Sequence, residues 1–478
     1  MYGLSNSITL TYSKVFYFLL KGGLFVNEII YELIEEKKFT KLRSILSEMN
    51  PADIAQILED SPSKDKLPLI FRILPKELAA ETFVEMESDL QQLLIESFSD
   101  AELKQVLDEL FLDDTVDIID EMPALVAKRM IKQTDAETRK MINQLLAYPD
   151  DSAGSIMTTE YIDLKRDMTV ADAFNRIRKI GLESETVYTC YVIDQSRHLL
   201  GIVSVKDLLL NDTECIIEDI MEENIISANT LDDKEEVAEK FSKYNLVALP
   251  VVDKENRLVG IVTVDDAIDV LQEEATEDIE KMAAILPSDK SYFKTSVWSM
   301  FKARIPWLML LMITSTITSG IISSFESKLT LFPALIAFIP MLMGTGGNCG
   351  SQSSVTVIRS ISLGDIEFKD IFKVLWKELR VSLICSGVLA LIGFVKLWLI
   401  DHLIFNNFDK GIQITEILVV CITLLFTVIV AKLVGCVLPI LAKKIGFDPA
   451  VMASPFITTA IDAVSLVIYF AAAMILLT

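Results

Sequence analysis

The stretch that decides the fold class lies at the end of the chain, at residues 450–478: AVMASPFITTAIDAVSLVIYFAAAMILLT. It is long and apolar enough to cross a bilayer as a helix. Its one charged residue, Asp462, lies near the middle, where a carboxylate costs about 2.5–3.5 kcal/mol on insertion scales. Ser454, Thr458 and Asp462 are four residues apart, so they lie on one helical face. This column of oxygens suits a hard cation such as Mg²⁺ or Na⁺, although a polar seam between packed helices is the alternative.

Charge divides the 478-residue chain into two parts. Residues 301–478 hold 13 Lys and Arg against 10 Asp and Glu, whereas residues 1–300 hold 31 against 58, which is net −27. An acidic part of this size repels phosphate, so nucleic acid is not expected as a partner. The six cysteines form no CxxC pair and there are two histidines. We therefore expect neither a disulfide framework nor a zinc site.

Residues 29–155 are predicted to form an acidic helical domain, and residues 1–28 an N-terminal tail of no assigned function. Apolar residues recur at three- and four-residue steps, and prolines at 51, 62, 68, 75 and 123 punctuate the helices. Similar successive units suggest a short superhelix of helical hairpins. In DELFLDDTVDIIDE (108–121), Asp113 and Asp117 lie one turn apart. A solvated helix face is the ordinary interpretation of such a run.

A repeat follows the helical domain. The segment TCYVIDQSRHLLGIVSVKDLLL (189–210) returns about 60 residues later as ALPVVDKENRLVGIVTVDDAIDVL (248–271). The repeat predicts two α/β modules, at 156–218 and 219–275. Both contain G-I-V-[S/T]-V-x-D, and here the chain resembles a pair of CBS domains. That resemblance implies adenine-nucleotide contacts, with ATP as the candidate, from Ser204, Asp207, Thr263 and Asp266. An empty scaffolding cleft is the alternative.

The second module leads into an acidic helix, DDAIDVLQEEATEDIE (265–280), expected to run on to about residue 300. Its carboxylates follow three- and four-residue steps and form one stripe. Like charges one turn apart repel, so this stripe and the Asp113–Asp117 face would move apart unless a divalent cation bridged them. A solvated helix is the alternative. Residues 276–302 are taken as the segment that connects the modules to the membrane.

Residues 303–478 are predicted to cross the membrane five times, at about 304–324, 331–356, 380–400, 416–442 and 450–477. Most Lys and Arg of the loops lie on the side of residues 1–300, so the positive-inside rule places these residues in the cytoplasm and the C-terminus outside. The second span contains PMLMGTGGNCGSQS (340–353). Four glycines predict irregular backbone along a polar cavity, to which Asn348 adds an oxygen. A close helix contact is the alternative.

Four segments in this order resemble the MgtE family of magnesium transporters or channels: YPDDSAGSIMT (148–158), VTVDDAIDVLQEEATEDI (262–279), PMLMGTGGNCGSQS (340–353) and DPAVMASPFITTAIDAVSLVIYF (448–470). The resemblance covers the chain from about residue 29. It implies a multidomain fold: an all-α superhelical N domain, α/β tandem CBS domains, a long connecting plug helix and a five-helix α transmembrane domain. It also implies a homodimer in the lipid bilayer of the plasma membrane.

The resemblance further implies two sets of Mg²⁺ ligands. Along the pore these are Asp462, Thr458, Ser454, Asp448 and Asn348. In a cytoplasmic sensor they are Asp113, Asp117, Asp233, Glu235, Asp266, Asp269, Glu274, Glu277 and Asp278. Asn245 stands where the family commonly has Asp, which puts one sensor site in question.

The expected function is Mg²⁺ influx that cytoplasmic Mg²⁺ shuts off, with ATP as a possible regulator and no catalytic residues. The chain has no P-loop and no nucleophile–His pair, so it is not expected to be an enzyme. A Na⁺-coupled or broader divalent-cation transporter is one alternative. A membrane-anchored CBS nucleotide sensor that transports nothing is the other, although it leaves Asp462 unexplained.

Overall fold

The computed structural model describes residues 24–61, 64–182, 184–288, 292–293, 295–329, 333–400, 414–452 and 454–477. These residues form two compact units, which divide between Leu271 and Gln272. Most of the predicted N-terminal tail lies outside the described residues.

The first unit begins with a run of short helices. Several start at the predicted prolines: Pro51 occupies the first turn of its helix, while Pro75 and Pro123 are N-caps. Proline suits these positions because the first turn needs no backbone N–H donor. Side chains cap other starts, as where Ser99 and Glu102 form a capping box. The helices are α1 Leu24–Glu35, α2 Phe39–Leu46, α3 Pro51–Glu59, α4 Leu67–Phe71, α5 Lys76–Val84, α6 Ser88–Ser97, α7 Asp100–Leu107, α8 Leu112–Glu121, α9 Ala124–Gln133 and α10 Ala136–Leu145.

The apolar faces of these helices form one buried core. Leu42, Ile54, Leu94 and Leu103 are fully buried in it. The same core continues into the second α/β module through Phe241 and its neighbours. Apolar burial at helical spacing therefore explains both the predicted helices and their attachment to the modules. The superhelical arrangement stays a prediction.

Two α/β modules complete the first unit. Each sheet has three strands, in the orders β1-β2-β3 and β4-β5-β6, with the first pair parallel and the second antiparallel. In the antiparallel hairpins, every paired residue of the second module lies 59 positions after its counterpart, as with Thr189↔Ser204 and Ala248↔Thr263. The predicted repeat is thus confirmed. The elements are β1 Asp163–Leu164, α11 Val170–Ile180, β2 Thr189–Ile193, β3 Leu199–Ser204, α12 Val205–Leu210, α13 Ile217–Ile220, β4 Ala228–Asn229, α14 Lys234–Tyr244, β5 Ala248–Val252 and β6 Leu258–Thr263.

The glycine of the repeated motif is required by a close approach. A Cβ atom on Gly260 would lie 2.6 Å from the carbonyl oxygen of Thr158, which pairs with the neighbouring strand residue Ile261. A backbone atom cannot yield at that distance, so only glycine fits.

The acidic helix α15 spans Val264–Met282 and is shorter than the sequence predicts. Ala284 adopts a left-handed conformation with φ 54°, which ends the helix, and Pro287 follows. The expected continuation to about residue 300 is therefore wrong, because residues 283–288 are not helical. The division between the two units falls within this helix.

The second unit consists of helices. After α15 these are α16 Val297–Leu329, α17 Pro333–Ile336, α18 Ile339–Ser362, α19 Ile371–Val395, α20 Ile414–Lys444 and α21 Ser454–Leu477. Helix α18 packs against α20 and α21, and buried residues such as Leu342, Val428 and Ile457 fill the space between them. The core of this unit therefore lies around α18.

Four segments of the described chain are long and apolar enough to cross a membrane: Val297–Phe325, Phe368–Leu399, Ile414–Lys444 and Pro449–Leu477. They correspond to the first, third, fourth and fifth predicted spans. The second predicted span corresponds to α18, whose many Gly, Ser and Thr residues lower its mean hydropathy. The count of five spans stays a prediction.

Helix α18 corrects the expectation of irregular backbone. It runs without interruption through Gly344, Gly346, Gly347 and Gly350. Three of these glycines lie against neighbouring helices, and a Cβ on Gly346 would lie 2.8 Å from the Oγ of Ser465. The glycines thus allow close helix packing, and that packing stabilises the helix despite its low intrinsic propensity.

Candidate functional site

Three carboxylates converge in the first unit. Asp113, Glu160 and Glu185 each offer an oxygen, and these oxygens all lie within 4.8 Å of one another. Asp113 stands in the first turn of α8, and the backbone N–H of Leu112 donates to Oε2 of Glu160 at 2.9 Å. The backbone N–H of Glu185 donates to the carbonyl oxygen of Glu160 at 2.8 Å. The chain therefore brings three distant segments together at Glu160.

Burial and mutual repulsion raise the pKa values of this group. Burial raises the pKa of Asp113 to about 7, and the charges of Asp114 and Glu160 contribute. For Glu185, burial and then the charge of Asp113 raise the pKa to about 9. Burial and Asp113 likewise raise the pKa of Asp266 to about 7, although a hydrogen bond from Thr263 acts in the opposite direction. The charges that raise these values are all carboxylates, so the cluster is costly when fully ionised.

Asp117 belongs to the same electrostatic group. Partial burial of its carboxyl raises its pKa most, and the negative charges of Asp266 and Asp113 raise it further. Its residue also keeps exposed surface, so water screens part of this repulsion. The predicted sensor residues Asp113, Asp117 and Asp266 therefore come close enough to repel one another, and they do so within one unit.

The donor set suits a hard divalent cation. Oε2 of Glu185 is inaccessible to solvent and has no hydrogen-bond partner in the described structure. A buried carboxylate oxygen without a donor is stabilised either by a proton or by a cation. Mg²⁺ prefers carboxylate oxygens and retains waters, which an incomplete protein ligand set permits. The residues thus fit Mg²⁺.

The sequence analysis missed Glu160 and Glu185. Their segments, TTEYID (158–163) and LESETV (182–187), each contain one other acidic residue, so no acidic run singles them out. Only the packing of α8 against the first module brings them to Asp113.

Other predicted sensor residues have different surroundings. Asp233 is exposed and caps α14, where its side chain accepts from the backbone N–H of Glu235 at 2.9 Å. Asn245 ends the same helix in a left-handed conformation with φ 53°. Asn tolerates this conformation better than most residues. Asp269 is exposed. Partial desolvation of its carboxyl raises its pKa, and repulsion from Asp265 adds to the shift.

The predicted nucleotide residues pair with each other. Ser204 caps α12, where its hydroxyl accepts from the backbone N–H of Asp207 at 3.1 Å and the Asp207 carboxylate accepts in return. In the second module the Thr263 hydroxyl donates to Asp266 at 2.5 Å. Both pairs cap the N-terminus of the helix that follows. Asp266 therefore belongs at once to a helix start and to the carboxylate group around Asp113.

At the far end of α15, in the second unit, Lys281 joins two predicted ligands. Its Nζ lies 2.7 Å from Oε1 of Glu277 and 2.7 Å from Oδ2 of Asp448. The other oxygen of Asp448 accepts from the backbone N–H of Ala450 at 2.7 Å. Burial alone would lower the pKa of Lys281, but these two ion pairs raise it. Asp448, predicted in the pore, is thus paired with a lysine of the acidic helix.

Asp278 lies next to this ion pair. Its Oδ2 accepts a long hydrogen bond of 3.4 Å from the hydroxyl of Ser362. Burial raises the pKa of Asp278, and the charge of Asp448 adds to the shift. Glu274 occupies the same helix one turn earlier, and both belong to the second unit.

The predicted pore residues lie on α21 and α18. Asp462 is half-buried on α21. The Thr458 hydroxyl donates to the carbonyl oxygen of Pro455 at 2.9 Å, and a Cβ on Gly347 of α18 would lie 3.0 Å from its methyl group. Asn348 is exposed on α18, and the side chain of Ser454 lies outside the described residues. The two helices therefore meet next to Thr458, one turn before Asp462.

A second polar group in this unit was not predicted. Lys432 of α20 is only 5% exposed, and its Nζ donates to the Ser353 hydroxyl at 3.3 Å. That hydroxyl donates to Oε2 of Glu378 at 2.9 Å. The three line a cavity of about 610 Å³ together with Gln352 and Thr356. A lysine inside an apolar span is a sequence feature that could have identified this network.

Comparison with known proteins gives concordant matches along the chain. The family described as the divalent cation transporter MgtE matches residues 339–472, the MgtE intracellular N domain matches 49–151, and the CBS domain matches 153–213 and 217–273. The predicted CBS pair is confirmed. With several apolar helices, these matches describe a multi-pass membrane protein.

Relatives cover nearly the whole chain. The magnesium transporter MgtE of Thermus thermophilus is 34% identical over 452 residues, which are 94% of this chain and 98% of the relative. That of Bacillus subtilis is 33% identical over 443 residues, 92% of this chain and 94% of the relative. A crystal structure of the cytosolic domain of the Mg²⁺ channel MgtE in complex with ATP is 34% identical and covers 50% of this chain and 97% of that one, with a TM-score of 0.48. Identity at this level over almost the full length shows that the chain belongs to the MgtE family of magnesium transporters.

Proposed function

We propose that this protein carries Mg²⁺ into the cell across the plasma membrane and that cytoplasmic Mg²⁺ closes it. The observation that carries the proposal is the convergence of Asp113, Glu160 and Glu185, which lie within 4.8 Å of one another among further carboxylates. Clustered ionised carboxylates destabilise the folded protein unless a cation binds them. Regulation of the transporter by Mg²⁺, its own cargo, would explain why the cluster is present.

The closing step follows from electrostatics. When cytoplasmic Mg²⁺ is scarce, ionised Asp113, Asp117 and Asp266 repel one another and loosen the attachment of α8 to the modules. Bound Mg²⁺ replaces this repulsion with attraction and holds the first unit compact. The compact state then restrains α15, and through it the chain that leads from residue 283 into the membrane part.

The transport path runs past Asp462. Insertion of a carboxylate into a membrane helix costs free energy, and such carboxylates commonly mark ion pathways. Asp462 is half-buried on α21, and its oxygens suit hydrated Mg²⁺. Thr458, Ser454 and Asn348 would contribute oxygens along the path. Asp448 would act at its cytoplasmic mouth. Five spans would put the two ends of the chain on opposite sides, and the basic loops would put residues 1–300 in the cytoplasm and the C-terminus outside. A homodimer would complete the pore.

ATP is proposed as a modulator through the paired modules. Ser204, Asp207, Thr263 and Asp266 would exchange their helix-capping bonds for bonds to ribose. Because Asp266 belongs also to the carboxylate group around Asp113, nucleotide binding there would change the affinity for Mg²⁺. Titration of the purified protein with ATP at low and high Mg²⁺ tests this coupling. Equal ATP affinity at both concentrations would remove the regulatory role.

Flux into liposomes tests transport. The purified full chain is reconstituted around a Mg²⁺-sensitive dye, and initial rates are measured for Mg²⁺, Mn²⁺, Co²⁺ and Ca²⁺, with and without Na⁺. We expect Asp462→Asn to reduce the Mg²⁺ rate at least about tenfold, equivalent to about 1.4 kcal/mol. Asp365→Asn, in an exposed loop, serves as the matched control and should transport normally. Normal Mg²⁺ flux in Asp462→Asn would refute the pore assignment. Absence of flux of any of these ions in the wild type would favour the anchored nucleotide sensor.

Current measurements test closure. In patches of the full chain, rising Mg²⁺ on the side of residues 1–300 should reduce the current. Asp113→Asn combined with Asp266→Asn should raise the Mg²⁺ concentration needed, because two carboxylates of the proposed sensor lose their charge. Closure at an unchanged concentration would refute the sensor.

A further inference from the structure

Lys281 occupies the place where a cation would stand between two carboxylates. It belongs to the last turns of α15, and its Nζ is 2.7 Å from oxygens of both Glu277 and Asp448. Glu277 lies one helical turn before it, whereas Asp448 precedes the short 3₁₀ helix Pro449–Met452. One ammonium group thus connects α15 to the segment between α20 and α21.

The charge of this group is only partly balanced. Glu277, Asp278 and Asp448 supply three carboxylates, and Asp448 is close enough to affect the ionisation of Asp278. Lys281 supplies one positive charge, and Ser362 donates one long hydrogen bond to Asp278. The group keeps a net negative charge when ionised, so a divalent cation would balance it better than the ammonium does.

Two properties of the ammonium decide how it competes with a free ion. It is attached to the same helix as Glu277, so its local concentration is fixed and does not depend on the surrounding solution. It is also accessible: the side chains of Lys281 and Asp448 are 24% and 34% exposed, which allows an ion from solvent to displace it. Any Mg²⁺ that binds Glu277 and Asp448 must compete with Lys281.

We propose that Lys281 is a tethered competitor of Mg²⁺, which holds Glu277 and Asp448 together when Mg²⁺ is absent and thereby sets the concentration at which Mg²⁺ takes its place. This inference rests on the proposed closure by cytoplasmic Mg²⁺. It assigns two opposite effects to one residue. Lys281 stabilises the attachment of α15 at low Mg²⁺, and it weakens the apparent affinity of the same place for Mg²⁺.

The competition predicts a result that a simple structural ion pair would not produce. Loss of Lys281 should loosen the end of α15 without Mg²⁺, because Glu277 and Asp448 then repel. It should also lower the Mg²⁺ concentration at which the segment becomes ordered. A purely structural ion pair would cause the first effect but not the second.

Hydrogen–deuterium exchange of the full-length protein in lipid nanodiscs measures both effects. The exchange of peptides covering residues 272–288 is followed as MgCl₂ is raised at constant ionic strength. The variants are Lys281→Gln, Lys281→Arg as the charge-preserving form, and Lys373→Gln as the matched control. Lys373 forms an ion pair of the same length, 2.7 Å, with Asp370 elsewhere in the unit.

For Lys281→Gln we expect faster exchange without Mg²⁺ and a midpoint about threefold lower than in the wild type, in keeping with one partly exposed ion pair. Lys281→Arg and Lys373→Gln should keep the wild-type midpoint. If the wild type responds to Mg²⁺ but Lys281→Gln has the same or a higher midpoint, the competition is refuted alone. If the wild-type segment does not respond to Mg²⁺, the proposed closure is refuted and this inference with it.

Discussion

Substitution of Asp113 by Asn gives the sharpest test of the carboxylate cluster. Asp113 is 8% exposed, and the pKa of its carboxyl rises from the ordinary 3.8 to about 7 because of burial. At about 1.36 kcal/mol for each pKa unit, its ionisation above pH 7 costs about 4 kcal/mol in the folded protein. The repulsion is shared with Asp114 and Glu160, so we expect Asp113→Asn to recover about half of this, ~2 kcal/mol, at pH 8 without Mg²⁺.

The sign of the pH dependence follows from linkage. The folded protein holds the proton of Asp113 more tightly than the unfolded chain does. Stability therefore falls as pH rises from about 4 to about 7 and stays low above that. Added Mg²⁺ should restore stability at pH 8 in the wild type, and less so in Asp113→Asn.

The assay must report on the first unit. All four tryptophans lie after residue 297, in the second unit, so fluorescence would not serve. We therefore choose hydrogen exchange of α8, Leu112–Glu121, corrected for intrinsic rates between pH 5.5 and 8.5. Asp120→Asn, at an exposed position of the same helix, is the matched control. The reasoning fails if the opening free energy of α8 rises with pH in the wild type, or if both variants show the same pH slope.

Three further predictions concern packing and charge. Gly435→Ala places a Cβ 2.3 Å from a backbone carbonyl oxygen of the neighbouring helix and should cost at least about 2 kcal/mol; Gly344→Ala, with no atom within 4 Å, should not lower the tryptophan-monitored melting temperature. Glu378→Gln removes the negative charge that Ser353 links to the buried Lys432 and should cost about 3 kcal/mol. Adding Lys432→Met should restore most of this, and no rescue would mean that the two charges are independent. Glu185→Gln should weaken the protection of α8 by Mg²⁺, whereas an unchanged Mg²⁺ midpoint would exclude Glu185 as a ligand.

The sequence predicted the structure correctly where a local pattern is compatible with one type of secondary structure or one repeat. Helical periodicity and prolines predicted the start of α3, and a repeat predicted both hairpins. It was misleading at residues 344–350, where intrinsic propensity argues against a helix but contacts with α20 and α21 stabilise one. Propensity describes an isolated segment, and packing decides the conformation when the segment is buried.

By itself, the sequence determined the acidic and apolar division of the chain, the duplicated modules, the family and the carboxylates worth testing, such as Asp113 and Asp462. The division and the modules follow from composition and spacing, and the family follows from four motifs that resemble it. Only the tertiary structure brought Glu160 and Glu185 to Asp113, and placed Lys281 between Glu277 and Asp448. Electrostatic interactions depend on distance in space, and a pattern of residues along a chain contains little information about which distant charges will meet.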